Sequence, residues 1–155
     1  MKQTTSKILL ALAAAMLGTG PAMAAEQDDV MKIVRQWVES LNKGDVQTAI
    51  AACAPQTAIV DEYPPYEWHG EGVCSKWATE LEAYNKSIGL SDGFVTLRKA
   101  KRVDVTGDRA YVVVPADYRF KQNGKNGQEI GALFTVALQK GAAGWRITGW
   151  AWSRP

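Results

Sequence analysis

Apolar residues recur at Val30, Ile33, Val34, Trp37, Val38 and Leu41, the i, i+3, i+4, i+7 spacing of a helix with one buried face. Asn42-Lys43-Gly44-Asp45 stops that helix with a glycine and caps the next with an aspartate. Val46, Ala49, Ile50 and Cys53 continue the helical period until Pro55, which lacks the N–H a helix interior needs. Ala58-Ile59-Val60-Asp61 predicts a short strand that ends on a carboxylate and runs into a loop with Pro64-Pro65. Val73, Trp77, Leu81, Tyr84 and Ile88 predict a third helix over residues 71–87, closed by Gly89. Beyond Ser91-Asp92-Gly93 the period changes to two. Strands are predicted around Val95 and Leu97, around Val103 and Val105, and over residues 110–121, 128–139 and 145–153. Helices first and an antiparallel meander afterwards mean an α+β fold, with three N-terminal helices packed on one face of the sheet.

The segment before this pattern has a different character. Lys2 and Lys7 precede an apolar run from Ile8 to Leu17, and Gly18-Thr19-Gly20-Pro21 then leads to the small-x-small triplet Ala22-Met23-Ala24. This is the layout of a signal peptide cut after Ala24. The apolar run is shorter than the roughly 20 residues a membrane span requires, so the mature chain, residues 25–155, is expected in the periplasm or secreted, without a membrane anchor. Residues 25–29 look like a linker, and the remainder is long enough for one domain with its own core. Loss of Lys2 and Lys7 lowers the 18 basic residues to 16, equal to the acidic ones. A neutral chain lacks the basic footprint of a nucleic-acid binder, and Arg98-Lys99-Ala100-Lys101-Arg102 fits a solvated strand face.

Cys53 and Cys74 are the only cysteines. An oxidising compartment permits a disulfide between them, closing a loop of about 20 residues; two packed free thiols are the alternative. No CxxC pair suggests redox catalysis. His69 is the only histidine and has no ligand spacing with Asp61 or Glu67, so no metal is expected; a loop histidine that orients the entrance by hydrogen bonding fits better. Neither a nucleophile elbow nor a dinucleotide-binding glycine pattern is present, and no cofactor is expected.

The run from Ile33 through Leu41-Asn42-Lys43-Gly44-Asp45 to Asp61 and Gly70 resembles the opening of the nuclear transport factor 2-like superfamily, which includes the ketosteroid isomerases and SnoaL-like cyclases. The resemblance extends over the mature chain. It implies a strongly curved sheet wrapped as a cone around the first helix, with a pocket inside. In ketosteroid isomerases an aspartate base works with an oxyanion hole made of a tyrosine and a protonated aspartic acid. By this resemblance Asp61 falls at the general base, whereas Trp37 occupies the tyrosine position and Phe134 that of the second acid. Each lost donor of such a hole is worth about 10²–10³ in rate, so binding is favoured over catalysis. Asp117 is a candidate replacement donor, because strand alternation groups it with Tyr111, Val113 and Pro115 on the face expected to look into the cone. A cap or turn-forming carboxylate is the alternative for Asp61, and a paired or solvated one for Asp117.

Six tryptophans are many for this length. Trp37 and Trp77 lie on helix stripes and are assigned to the core. Alternation puts Trp150 and Trp152 with Arg146, Thr148 and Arg154, which suggests a wet binding wall or, preferably, a homodimer interface on the outer sheet face. The sequence therefore describes an exported domain that binds a small apolar or mixed-polarity ligand in an aromatic-lined cone. The ligand-facing candidates are Trp37, Asp61, Tyr63, His69, Val113, Asp117 and Phe134. A cofactor-independent isomerase or cyclase using Asp61 as base, and a partner-binding domain using the outer sheet face, are the alternatives.

Overall fold

The apolar stripe of residues 30–41 becomes the buried face of a long helix, α1 (Gly20–Asn42), with Val30, Val34, Trp37 and Val38 inside and Lys32, Arg35 and Glu39 in solvent. The computed structural model describes residues 20–155, so the leader pattern before Gly20 lies outside the described residues. The linker expected at residues 25–29 is helical instead. There Gln27 Nε2 donates to the Val103 carbonyl (2.7 Å) and Glu26 pairs with Lys140 (2.8 Å), which fastens this turn to the sheet.

Asn42 ends the helix and grips the sheet with both halves of its amide: Nδ2 donates to Val95 O and Oδ1 accepts from Val95 N, each at 2.8 Å. Gly44 takes the left-handed conformation (φ 73°), and Asp45 caps α2 (Val46–Ile50) by accepting from Thr48 N. That helix is shorter than its period suggests, because Cys53 already belongs to β1 (Cys53–Val60). The loop at Pro64-Pro65 is followed by an unforeseen strand, β2 (Glu67–Glu71), which takes Glu71 from the expected third helix; α3 runs Val73–Ser87. The remaining strands are β3 (Leu90–Leu97), β4 (Arg102–Thr106), β5 (Arg109–Gln122), β6 (Lys125–Gly141) and β7 (Gly144–Ser153). Arg98 to Lys101 form the link between β3 and β4 rather than a strand face.

The seven strands make one sheet in the order β2-β1-β7-β6-β5-β3, with β4 beside β3 along the same edge of β5. Neighbours are antiparallel except β1 and β7, which pair in parallel, so the meander closes by setting its last strand beside the first. The α+β class holds, with helices on one face of a large, mostly antiparallel curved sheet. A disulfide joins Cys53 at the start of β1 to Cys74 in the first turn of α3, Cα atoms 6.6 Å apart, so the free-thiol alternative does not apply.

Two bulges decide which side chains face the helices. On β6, Gly131 (φ 83°) is the extra residue, since Ala116 pairs with Ala132 but Asp117 pairs with Ile130. On β7, Thr148 is the extra residue, since Leu138 pairs with Ile147 but Ala137 pairs with Gly149. An inserted residue reverses the alternation beyond it. Trp145 and Ile147 therefore share the inner face with Trp150 and Trp152, and Phe134 shares it with Glu129.

Candidate functional site

Alternation along β1 points Thr57, Ile59 and then Asp61 inward, while Ala58 and Val60 are exposed. Asp61 follows the last residue of β1 and is 9% exposed. Its Oδ1 accepts from the Glu62 N–H (2.8 Å), and its Oδ2 accepts from the indole Nε1 of Trp77 on α3 (2.9 Å). Burial outweighs both donors and pushes its pKa up to about 6. Such a carboxylate is ionised at neutral pH yet more basic than a solvated one, as a general base requires.

Trp77 connects Asp61 to a nest of rings. Its centroid lies 4.8 Å from that of Trp150, edge to face, and 5.6 Å from that of Trp37. Trp150 also meets Trp37 (6.0 Å) and Phe134 (5.7 Å). The three positions singled out by resemblance, Trp37, Asp61 and Phe134, thus converge on the Trp77–Trp150 pair. Trp150 is 6% exposed, and its Nε1 has no hydrogen-bond partner, a condition that costs about 1–3 kcal/mol for a buried donor. From this nest a half-buried row runs outward along the inner face: Phe134 meets Trp152 (6.1 Å), Trp152 meets Tyr118 (6.5 Å) and Tyr118 meets Phe120 (5.1 Å). Gly93 on β3 leaves the room that the Tyr118 hydroxyl occupies; a Cβ there would lie 2.8 Å from it.

Charge collects where this row meets Asp61. Arg154, just past β7, sets its Nε 2.6 Å from Glu62 Oε2 and 3.1 Å from Glu129 Oε1. Burial, then the charge of Glu62, raises the pKa of Glu129. Burial together with Glu129, Asp61 and Glu62 pushes the Tyr118 hydroxyl up to about 12. Among the described residues no group of three His, Cys, Asp or Glu side chains could hold a metal ion, and no helix is long and apolar enough to cross a membrane.

Other sequence candidates lie elsewhere. Asp117 and Val113 are on the outer face, opposite to the expected one, because Ala110, Val112, Val114 and Ala116 take the inner face. Asp117 is bound by Arg98 (2.7 Å) and accepts from Gly131 N, and the Arg98 guanidinium holds its carboxyl below the usual range. It therefore cannot serve as a protonated donor in the cone. His69 is exposed on β2, where alternation turns Trp68 inward, so it does not orient an entrance. Tyr63 is buried, but its hydroxyl donates to the Trp77 carbonyl (3.0 Å) and its ring stacks on Tyr84 (5.0 Å), so it anchors the β1–β2 loop to α3. Trp150 and Trp152 face inward, which removes the dimer interface drawn through them.

Glu62, Tyr118 and Glu129 are not candidates from the sequence, which assigns Trp77 only to core packing and Arg154 only to the strand face of Trp150 and Trp152. The one available signal was Gly131, since an isolated glycine inside a strand pattern suggests a bulge. Two open surface depressions lie away from Asp61. One lies at the β5–β6 hairpin, bordered by Phe120 and Gln128, and the other lies between Arg102 and Tyr111.

No family model matches the chain, and no curated protein matches it in sequence. Solved structures do match. A nuclear transport factor 2-like superfamily protein from Salmonella enterica superposes with a TM-score of 0.71 at 17% identity, covering 86% of this chain and 93% of that one. A nuclear transport factor 2-like protein of unknown function from Pseudomonas putida gives 0.65 at 17% identity, with 85% and 88% covered. The fold is that of the nuclear transport factor 2-like proteins. A ketosteroid isomerase-like protein from Erwinia carotovora atroseptica shares it, with a TM-score of 0.67 at 14% identity and coverage of 83% and 95%. At such identities the nuclear transport factor 2-like likeness concerns the fold, and the chemistry must come from the residues inside it.

Proposed function

We propose that this chain is an exported small-molecule-binding domain whose ligand enters along Phe120, Tyr118 and Trp152 and meets Asp61 and the Trp37–Trp77–Trp150 nest. The observation that carries this reading is a buried carboxylate of raised pKa whose partner Trp77 packs edge to face on Trp150, a buried indole with an unpartnered N–H. Both are costly to a structure that does not use them. An apolar ligand with one hydrogen-bonding group suits an aromatic lining with few polar groups. The leader pattern and the Cys53–Cys74 disulfide support export to an oxidising compartment. Titration with the neutral apolar dye N-phenyl-1-naphthylamine, followed by tryptophan quenching, tests the site. One saturable site is expected, about tenfold weaker in Trp150→Ala for a loss near 1.4 kcal/mol. Unsaturable quenching, the same in both proteins, would count against it.

A second reading keeps Asp61 as the base of an isomerase or cyclase of ketosteroid isomerase type, favoured by its pKa near 6. The absence of an acidic donor at Trp37 and Phe134 places it second.

A homodimer is also proposed, through the outer sheet face rather than through Trp150 and Trp152. Val60, Ala151, Thr135 and Val113 form an uncharged row across β1, β7, β6 and β5, and exposed Tyr111 and Ile130 flank it. Such a row can pack against a second copy without burying like charges.

A further inference from the structure

Arg154 bridges two elements that no backbone ladder joins. Glu62 lies in the β1–β2 loop, and Glu129 lies on β6 before the Gly131 bulge. The arginine side chain is 63% exposed, whereas those of Glu62 and Glu129 are 25% and 14% exposed. The cation therefore lies over the carboxylates from the solvent side. Each carboxylate also has a buried Oε2 without a hydrogen-bond partner; at Glu62 this is the atom Arg154 approaches, as an ion-pair contact without hydrogen-bond alignment. Water does not solvate these oxygens, so the guanidinium is the main counter-charge holding two like charges together. Glu62 has a second task, because its backbone N–H caps Asp61 Oδ1.

We propose that Arg154 is a clasp: it neutralises Glu62 and Glu129, holds the β1–β2 loop against β6 at the open end of the cone, and keeps the Glu62 N–H on Asp61. Release of the guanidinium lets the carboxylates repel. Glu62 then moves from β6, and Asp61 loses a donor and gains access to solvent. The device is independent of what the cone binds, since it needs only the loop, the strand and the cation between them.

Amide hydrogen exchange on the folded protein tests it. In Arg154→Ala, exchange at Glu62 rises at least tenfold while Val136 and Leu138 in the centre of β6 keep their protection. Millimolar N-ethylguanidinium restores protection at Glu62 in that variant. The double variant Arg154→Ala/Glu129→Gln regains it without added cation, because the repulsion is gone. Unchanged exchange at Glu62 in Arg154→Ala would overturn the clasp. So would acceleration of Glu62 together with the β6 amides that neither the cation nor Glu129→Gln reverses, since Arg154 would then support only global stability.

Discussion

At Asp61 burial works against stability at neutral pH. Its pKa rises from 3.8 to about 6 on folding, so the folded state holds the proton more tightly than the unfolded chain does. The contribution to stability is greatest below pH 4, falls between pH 4 and 6, and settles above that at a cost of about 3 kcal/mol. This is opposite to a salt-bridged carboxylate. Asp61→Asn is therefore expected to stabilise the protein at pH 7.5 by about 1–2 kcal/mol, because the amide mismatches one of the two donors and returns part of the gain. Thermal unfolding at pH 7.5 and pH 4 checks this: the gain should vanish at the lower pH. A destabilised variant at pH 7.5 would mean that Asp61 is a structural cap. Trp77→Phe removes a donor to the charged form, so it should raise the Asp61 midpoint in a carboxyl NMR titration. Asp61 was legible from the sequence, since a strand that ends on a carboxylate before a proline loop is a local pattern. Trp77, its partner, was not: a tryptophan on a helix stripe looks the same whether it only packs or also donates.

Among elements, the helices and turns followed from the sequence because their signals are local. The stripe of α1, the break at Asn42-Lys43-Gly44-Asp45 and the cap at Asp45 all appear where the residues place them. Strand faces did not follow, because one inserted residue reverses everything beyond it. The bulge at Thr148 turned Trp150 and Trp152 inward, and the bulge at Gly131 brought Glu129 to the inner face. Nothing lies within 4 Å of a Cβ added at Gly131, so Gly131→Ala pays only for its left-handed conformation, about 1–2 kcal/mol. Urea unfolding of that variant measures the cost. The Cys53–Cys74 disulfide ties β1 to α3 across a separation of 21 residues, and removing it as a Cys53→Ser/Cys74→Ser pair should lower stability by about 3 kcal/mol in the chain-entropy picture. An unfolding midpoint unchanged by reductant would contradict that.

For the whole molecule, the α+β class follows from chain order, helices before strands, and the strongly curved sheet from the resemblance carried by residues 30–70. The parallel pairing of β1 with β7 was beyond local signals, since it joins Ile59 to Trp150 across the length of the domain. That pairing assembles the candidate site: it sets Asp61, just past the end of β1, next along from the strand that carries Trp150 and Trp152. The outer face of the same sheet is left uncharged along the Val60–Val113 row. Val113→Lys should thus shift the protein from dimer to monomer in light scattering, whereas a wild-type monomer would remove that proposal.

The central claim is that the aromatic cone around Asp61 holds a small molecule. Native mass spectrometry of the protein, expressed from its full sequence in a bacterium and purified gently, tests it most directly. The predicted result is one bound small molecule per chain that is lost in Trp150→Ala. Chains that fly empty, in wild type and variant alike, would contradict it.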